Sequence, residues 1–249
     1  MRTYLFMRRN IKEILRDPLN VFFGLGFPLV LLGLLSLINA NIPPEANNPM
    51  FEIKNLAPGL AMFGTVFFAL FVGVLLAKDR TSSFLMRLFT SPMRASEFLL
   101  GYTLPMVIMA SVQVTITLLA SLFFGLSINL NLILAIFVSA ITSLLFIGLG
   151  LLSGTLMNDK AVGGICGALL TNVAGWLSGV FIPLELIGGT FQKVTQVLPF
   201  YHNVEAIKRA MNGNLSEMAF HLGIVLAYTA VVFGIAILMF RKRMNGDGL

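Results

Sequence analysis

Six apolar runs, at about 19–41, 56–77, 101–126, 128–156, 161–182 and 218–240, interrupt this 249-residue chain. Each approaches or exceeds the roughly 20 residues that cross a bilayer core as a helix. A backbone inside lipid must satisfy its own polar groups, so runs of this length fold as helices that pack side by side. The fold class expected is therefore an all-α integral membrane protein, with residues 1–249 forming a single transmembrane domain. Composition agrees: charged residues make up only 11% of the chain and hydrophobic ones 57%, with a mean hydropathy of +0.89. Soluble domains carry roughly 25% charged residues.

An even number of spans places both termini on one side, and the distribution of cations decides which. Arg2, Arg8, Arg9, Lys12 and Arg16 precede the first span, while Lys78, Arg80, Arg87 and Arg94 separate the second from the third. Lys160 lies between the fourth and fifth, and Arg241, Lys242 and Arg243 follow the sixth. The opposite connections hold only Lys54, Lys193, Lys208 and Arg209. Lysine and arginine accumulate on the cytoplasmic face, so the termini are expected there. The net charge of +6 then reports topology, not an affinity for nucleic acid. No small-residue cleavage site follows the basic N-terminal segment, so a removed signal peptide is not expected.

Leu5, Ile11, Ile14 and Leu15 alternate with Arg8, Arg9, Lys12 and Arg16, the pattern of an interfacial helix over residues 1–18, and Asp17-Pro18 should end it. Residues 78–92 form a charged strip between spans two and three. Within it Phe84, Leu85, Leu88 and Phe89 share one apolar stripe at helical spacing, and Ser91-Pro92 stops the helix. Residues 183–200 are too apolar for a solvated loop. Pro183 and Pro199 bracket that stretch and suggest half-helices dipping into the outer leaflet, with an ordinary amphipathic surface helix as the alternative.

Chemistry is sparse. Intramembrane charges are costly and mark ion pathways, yet the six spans carry almost none, which weakens a proton- or sodium-coupled carrier. No lysine follows a glycine, so a phosphate-cradling G-x-x-x-x-G-K-[ST] loop is absent and ATP cannot be hydrolysed by that route. His202 and His221 have no companion cysteine or metal-ligand spacing, and the lone Cys166 sits in an apolar run. No catalytic residue and no metal ligand is therefore assigned.

The spans do carry polar and small residues. Gly163, Gly167, Thr171, Gly175 and Gly179 recur every fourth position and suit a close helix-packing seam, either between two copies of the chain or within one. Gln113 and Thr117 in the third span, with Asn172 and Trp176 in the fifth, are candidates for a substrate path, with interhelical hydrogen bonding as the plainer reading. Glu205 and Arg209 are spaced to pair on a helix.

Three separated motifs resemble those of permeases of type 2 ATP-binding-cassette exporters. The first is Arg16-Asp17-Pro18 with Pro28 in the opening span. The second runs from Asp79-Arg80 through Leu85 and Leu88 to Ser91-Pro92, then Arg94, Glu97 and Leu99-Leu100-Gly101. The third is Ser178 to Glu185, followed by Leu198-Pro199 and Glu205 to Arg209. Lys78 stands where the family commonly has an acidic residue, Ser82 or Ser83 where it has a glycine, and Gly188-Gly189 where a proline is frequent.

The resemblance implies that the strip is a coupling helix docking into a separate cytoplasmic ATPase, with Asp79, Arg80, Phe84, Leu85, Leu88, Phe89, Ser91 and Pro92 at that contact. It also implies that Pro183, Glu185 and Pro199 belong to an outer re-entrant hairpin. No cofactor is expected in this chain, since ATP and Mg would sit on the ATPase. The partners implied are two ATPase subunits, a second permease chain, identical or paralogous, and membrane lipid. The location implied is a bacterial plasma membrane. The function expected is export of a drug, peptide or lipid-linked amphipathic molecule. An ATP-independent channel or secondary carrier and a non-transporting membrane sensor subunit are the alternatives, and an intramembrane enzyme lacks a convincing acid or Ser-His pair.

Overall fold

The computed structural model describes residues 2–43, 51–82, 95–182 and 184–244. Among them every regular element is helical: α1 (Arg2–Arg16), α2 (Pro18–Asn41), α3 (Ile53–Thr81), α4 (Ala95–Leu122), α5 (Asn131–Leu156), α6 (Asp159–Leu177), α7 (Leu184–Ile187), α8 (Gly189–Val197), α9 (Pro199–Met211) and α10 (Leu215–Met244). Six of these, α2 to α6 and α10, are long and apolar enough to cross a membrane. The strip residues Phe84, Leu85, Leu88, Phe89, Ser91 and Pro92 lie outside the described residues, as does Pro183.

Local chemistry sets the boundaries. Asp17 adopts an extended conformation and its carboxylate accepts the Leu19 amide at 3.0 Å, capping α2 with Pro18 in the first turn. Downstream, the amide of Phe27 bonds the Phe22 carbonyl five residues back, a widened turn just before Pro28, whose ring nitrogen cannot donate. The third apolar run ends sooner than its hydropathy suggests, because Gly125 takes φ +96° in the turn after Leu122. Gly179 takes φ +80° and likewise ends the fifth run early, so it lies beyond α6 and not on it.

α3 occupies the centre. About nine-tenths of its most apolar window is buried, against about one-fifth for α2, α6 and α10. A helix that is apolar all round belongs inside a bundle, and α3 contacts α4, α5, α6 and α9. Its closest approach is to α5. A β-carbon added at Gly154 would stand 2.4 Å from the Gly73 carbonyl oxygen, and one at Gly150 would stand 2.2 Å from that of Ala69. Gly150-x-x-x-Gly154 is thus a small-residue crossing at which two backbones touch.

α9 starts at Pro199 after the extended Leu198 and buries Phe200, Val204, Ile207 and Met211. Phe200 stacks on Phe146 of α5 at 6.2 Å between centroids, and Asn203 donates to the Thr142 carbonyl at 3.3 Å. Glu205 pairs with Arg209 at 3.0 Å, as the spacing predicts, and Arg209 also reaches Glu217 at 2.6 Å. The segment from 184 to 211 therefore forms three short helices. Glu185 falls in α7, and Gly188 and Gly189 turn the chain into α8 with positive φ.

Candidate functional site

The last turn of α3 carries Asp79 and Arg80, the root of the charged strip, and their side chains anchor to different neighbours. Asp79 is 3% exposed. Arg9 of α1 grips it with both terminal nitrogens, Nη2 donating to Oδ1 at 2.8 Å and Nη1 donating to Oδ2. The hydroxyl of Tyr102, on α4, donates to Oδ2 at 2.7 Å. Fork-to-fork pairing of guanidinium and carboxylate fixes orientation as well as charge. Burial disfavours the Arg9 cation, but its hydrogen bond and charge interaction with Asp79 outweigh this, and its pKa is raised.

α1 is held by packing as well. Phe6, Asn10 and Ile14, one helical turn apart, are its buried face. Phe6 meets Tyr102 edge to face at 4.9 Å, and Asn10 donates to the Gly101 carbonyl at 3.0 Å. This departs from the expected apolar stripe: Leu5 and Leu15 are half exposed, and only Ile14 of the four expected positions is buried.

Arg80 turns the other way. Its Nη2 donates to the Met157 carbonyl at 2.7 Å and its Nη1 to that of Thr155, while Arg243 of α10 donates to the Leu156 carbonyl at 3.3 Å. These oxygens close the end of α5, where free carbonyls and the helix dipole favour cations. Asn158 then caps the start of α6 by accepting the Ala161 amide at 2.9 Å. The two residues together bind the end of α3 to α1 and α4 on one side and to α5 on the other. Both were expected at an ATPase contact, and both are engaged within the chain.

The candidate path residues separate into two places. Gln113 and Thr117 are fully buried and joined at 3.1 Å, with the Gln113 amide and the Pro28 ring both close against Gly64. Asn172 is exposed and bonded to its own helix at 2.8 Å, and Trp176 is 51% exposed, both on the outer face of α6. The expected seam divides as well. Gly167 faces Leu70 of α3, Gly175 lies against Phe181, and among the described residues nothing comes within 4 Å of a β-carbon at Gly163. Residues Gly163–Leu170 are π-helical, and the Thr171 hydroxyl donates back to the Cys166 carbonyl at 3.1 Å. A wider turn takes more residues, so a four-residue repeat does not hold one face through it.

Sequence reasoning also missed a histidine contact at the end of the molecule that charge ordering assigns to the outside. Nδ1 of His202 lies 2.7 Å from Nδ1 of His221, and His202 Nε2 lies 2.7 Å from the Gln196 carbonyl. A carbonyl only accepts, so Nε2 carries the His202 proton and Nδ1 accepts from His221. Burial lowers the His202 pKa, against smaller upward contributions from the Gln196 carbonyl and Glu205. The folded chain thus binds fewer protons here than the unfolded chain does between that lowered value and the ordinary one of about 6.5. Stability is retained above that window and lost as pH falls through it. We expect the thermal midpoint to drop as pH falls through and below the ordinary histidine value of about 6.5, and H202Q to show a shallower slope there. Parallel slopes in the two proteins would refute this.

Residues 1–212 match the family model of the ABC-2 type transporter. The chain belongs to the ABC-2 type transporter family. It is similar to the Escherichia coli (strain K12) probable multidrug ABC transporter permease YbhR, 25% identical over 216 residues, covering 81% of this chain and 59% of that one. It is also similar to nodulation protein J of Rhizobium meliloti (strain 1021), 29% identical over 115 residues, 46% of this chain and 44% of the relative. The chain spans about half the length of the curated relatives it matches. Membership in the ABC-2 family, with six apolar helices, makes this a multi-pass membrane protein. The family match includes the strip root, α1 and the α3–α5 crossing.

Proposed function

We propose that this chain is the membrane-spanning permease of an ATP-driven exporter, worked by two copies of a separate cytoplasmic ABC ATPase and paired with a second permease, identical or paralogous. Its cargo is an amphipathic drug, peptide or lipid-linked molecule, consistent with the multidrug permease named among its relatives. The observation that carries this reading is the double anchorage at Asp79 and Arg80. A force applied to residues 83–92 acts on the end of α3, and α3 is bonded there to α1, α4 and α5. The displacement then moves several helices together instead of fraying one.

The energy comes from differential contact. Nucleotide-bound ATPase must grip one permease state more tightly than the other, since equal affinity shifts nothing. In this reading Phe84, Leu85, Leu88 and Phe89 make the contact that differs, whereas Asp79 and Arg80 set the position of the strip. Leu85→Asp with Leu88→Asp, in the full chain, places two carboxylates in that contact. An unpaired buried charge costs several kcal/mol, so recovery of the ATPase with the permease should fall by at least about tenfold. ATP-driven export should fall with it. Wild-type recovery together with wild-type export would remove the strip from the mechanism.

A further inference from the structure

A groove of about 420 Å³ opens between α1, the first turns of α2 and the last turns of α3. Its walls are apolar: Phe23, Leu70 and Val74 are only partly covered there, beside Phe71 and Leu75. Its rim is charged. Arg16 stands on the α1 side and Lys78 on the α3 side, both exposed. The rim acids are already engaged, Glu13 lying 3.4 Å from Arg9 and Asp17 capping α2.

Arg8, Lys12 and Arg16 follow one another at four-residue spacing, so a basic track runs along exposed α1 and ends at the groove. The same track lines a shallower cleft that shares Arg16. Over α1 and the end of α3, Arg8, Arg9, Lys12, Arg16 and Lys78 outnumber Glu13, Asp17 and Asp79. Apolar walls below a cationic rim match a molecule with a hydrocarbon tail and a phosphate head.

We propose that this groove binds one anionic phospholipid from the leaflet bordering α1, its phosphate between Arg16 and Lys78 and the upper part of its acyl chains against Phe23, Leu70 and Val74. The groove shares Lys78 with the strip, but lipid binding there does not depend on the coupling contact. Bound there, the lipid bridges α1 to the shaft of α3 and to α2, beside the Arg9–Asp79 pair.

The test uses the full chain purified in detergent, titrated with phosphatidylglycerol, phosphatidylcholine or glycerol phosphate and read by native mass spectrometry and thermal midpoint. One phosphatidylglycerol per chain should bind and raise the midpoint. Arg16→Gln with Lys78→Gln should weaken it by about 30-fold, the worth of two surface cations. Val74→Trp fills the groove without changing charge and should abolish the single-lipid complex. The glutamine changes affect exposed side chains only, so they report on the site even where the tryptophan variant does not fold. Equal binding of both phospholipids, wild-type affinity in the glutamine variant, or displacement by equimolar glycerol phosphate would each overturn the proposal.

Discussion

Truncating Asp79 to alanine should destabilise the folded chain by about 3 kcal/mol and release α1 from the bundle. Breaking a buried ion pair by removing one partner costs about 3–5 kcal/mol, because the other charge is left uncompensated. The lower end applies here, since the Arg9 side chain retains 31% exposure and Glu13 lies 3.4 Å away as a second carboxylate. The loss extends beyond the guanidinium. Tyr102 is fully enclosed, and its hydroxyl would lose its acceptor. Asp79→Asn keeps the shape and an acceptor for Tyr102 while removing the charge, so it should cost less.

Arg9→Met combined with Asp79→Leu separates architecture from coupling. Apolar replacement of a whole buried pair is often neutral, so the double variant should recover the part of the lost stability that comes from the uncompensated charge, while the Tyr102 hydroxyl still lacks its acceptor. Denaturation midpoints in detergent, and protease sensitivity of residues 2–16, measure this directly. A stable double variant that still exports would confine the pair to a structural role. A stable double variant that hydrolyses ATP without export would give it a part in transmission.

The fold was legible because the bilayer demands it: six apolar runs become six helices, two of them cut short where Gly125 and Gly179 turn the chain with positive φ, while α3, α4 and α10 run several residues past their apolar cores. The stripe expected over residues 84–89 lies outside the described residues, whereas the two residues at its root, Asp79 and Arg80, are described. What those two residues do was not legible, because their partners lie far away in sequence. Arg9 precedes Asp79 by 70 positions, and the Met157 carbonyl that meets Arg80 follows it by 77. A carboxylate at the end of an apolar helix reads equally well as solvated. One signal was available in Phe6, Asn10 and Ile14, whose spacing marks a face with a polar residue in its middle, and a polar residue on a packed face needs a partner. For the candidate path, polarity alone could not separate the enclosed Gln113 from the outward Asn172, because helices α4 and α6 expose different fractions of their surface.

The two glycine repeats make opposite predictions, and one experiment distinguishes them. Gly154→Val should cause loss of the folded, monodisperse protein, because its β-carbon meets only backbone: the Gly73 carbonyl at 2.4 Å and the Gly73 Cα at 3.0 Å. Overpacking typically costs about 1–3 kcal/mol where side chains can rotate away. Here none can, so α3 and α5 must separate along the crossing, and the cost should reach or exceed about 3 kcal/mol. Gly150→Ala, 2.2 Å from the Ala69 carbonyl, should behave similarly. Gly163→Ala meets nothing within 4 Å among the described residues and lies in a helical segment, so in an isolated chain it should be neutral or stabilising by up to about 1 kcal/mol. Should Gly163→Leu leave each chain folded yet abolish pairing of two permeases, the open end of α6 is the contact between copies. Should it leave pairing intact, that contact lies elsewhere, with the exposed faces of α2 and α10 the next to test. Wild-type stability of Gly154→Val would contradict the backbone contact from which this ordering follows.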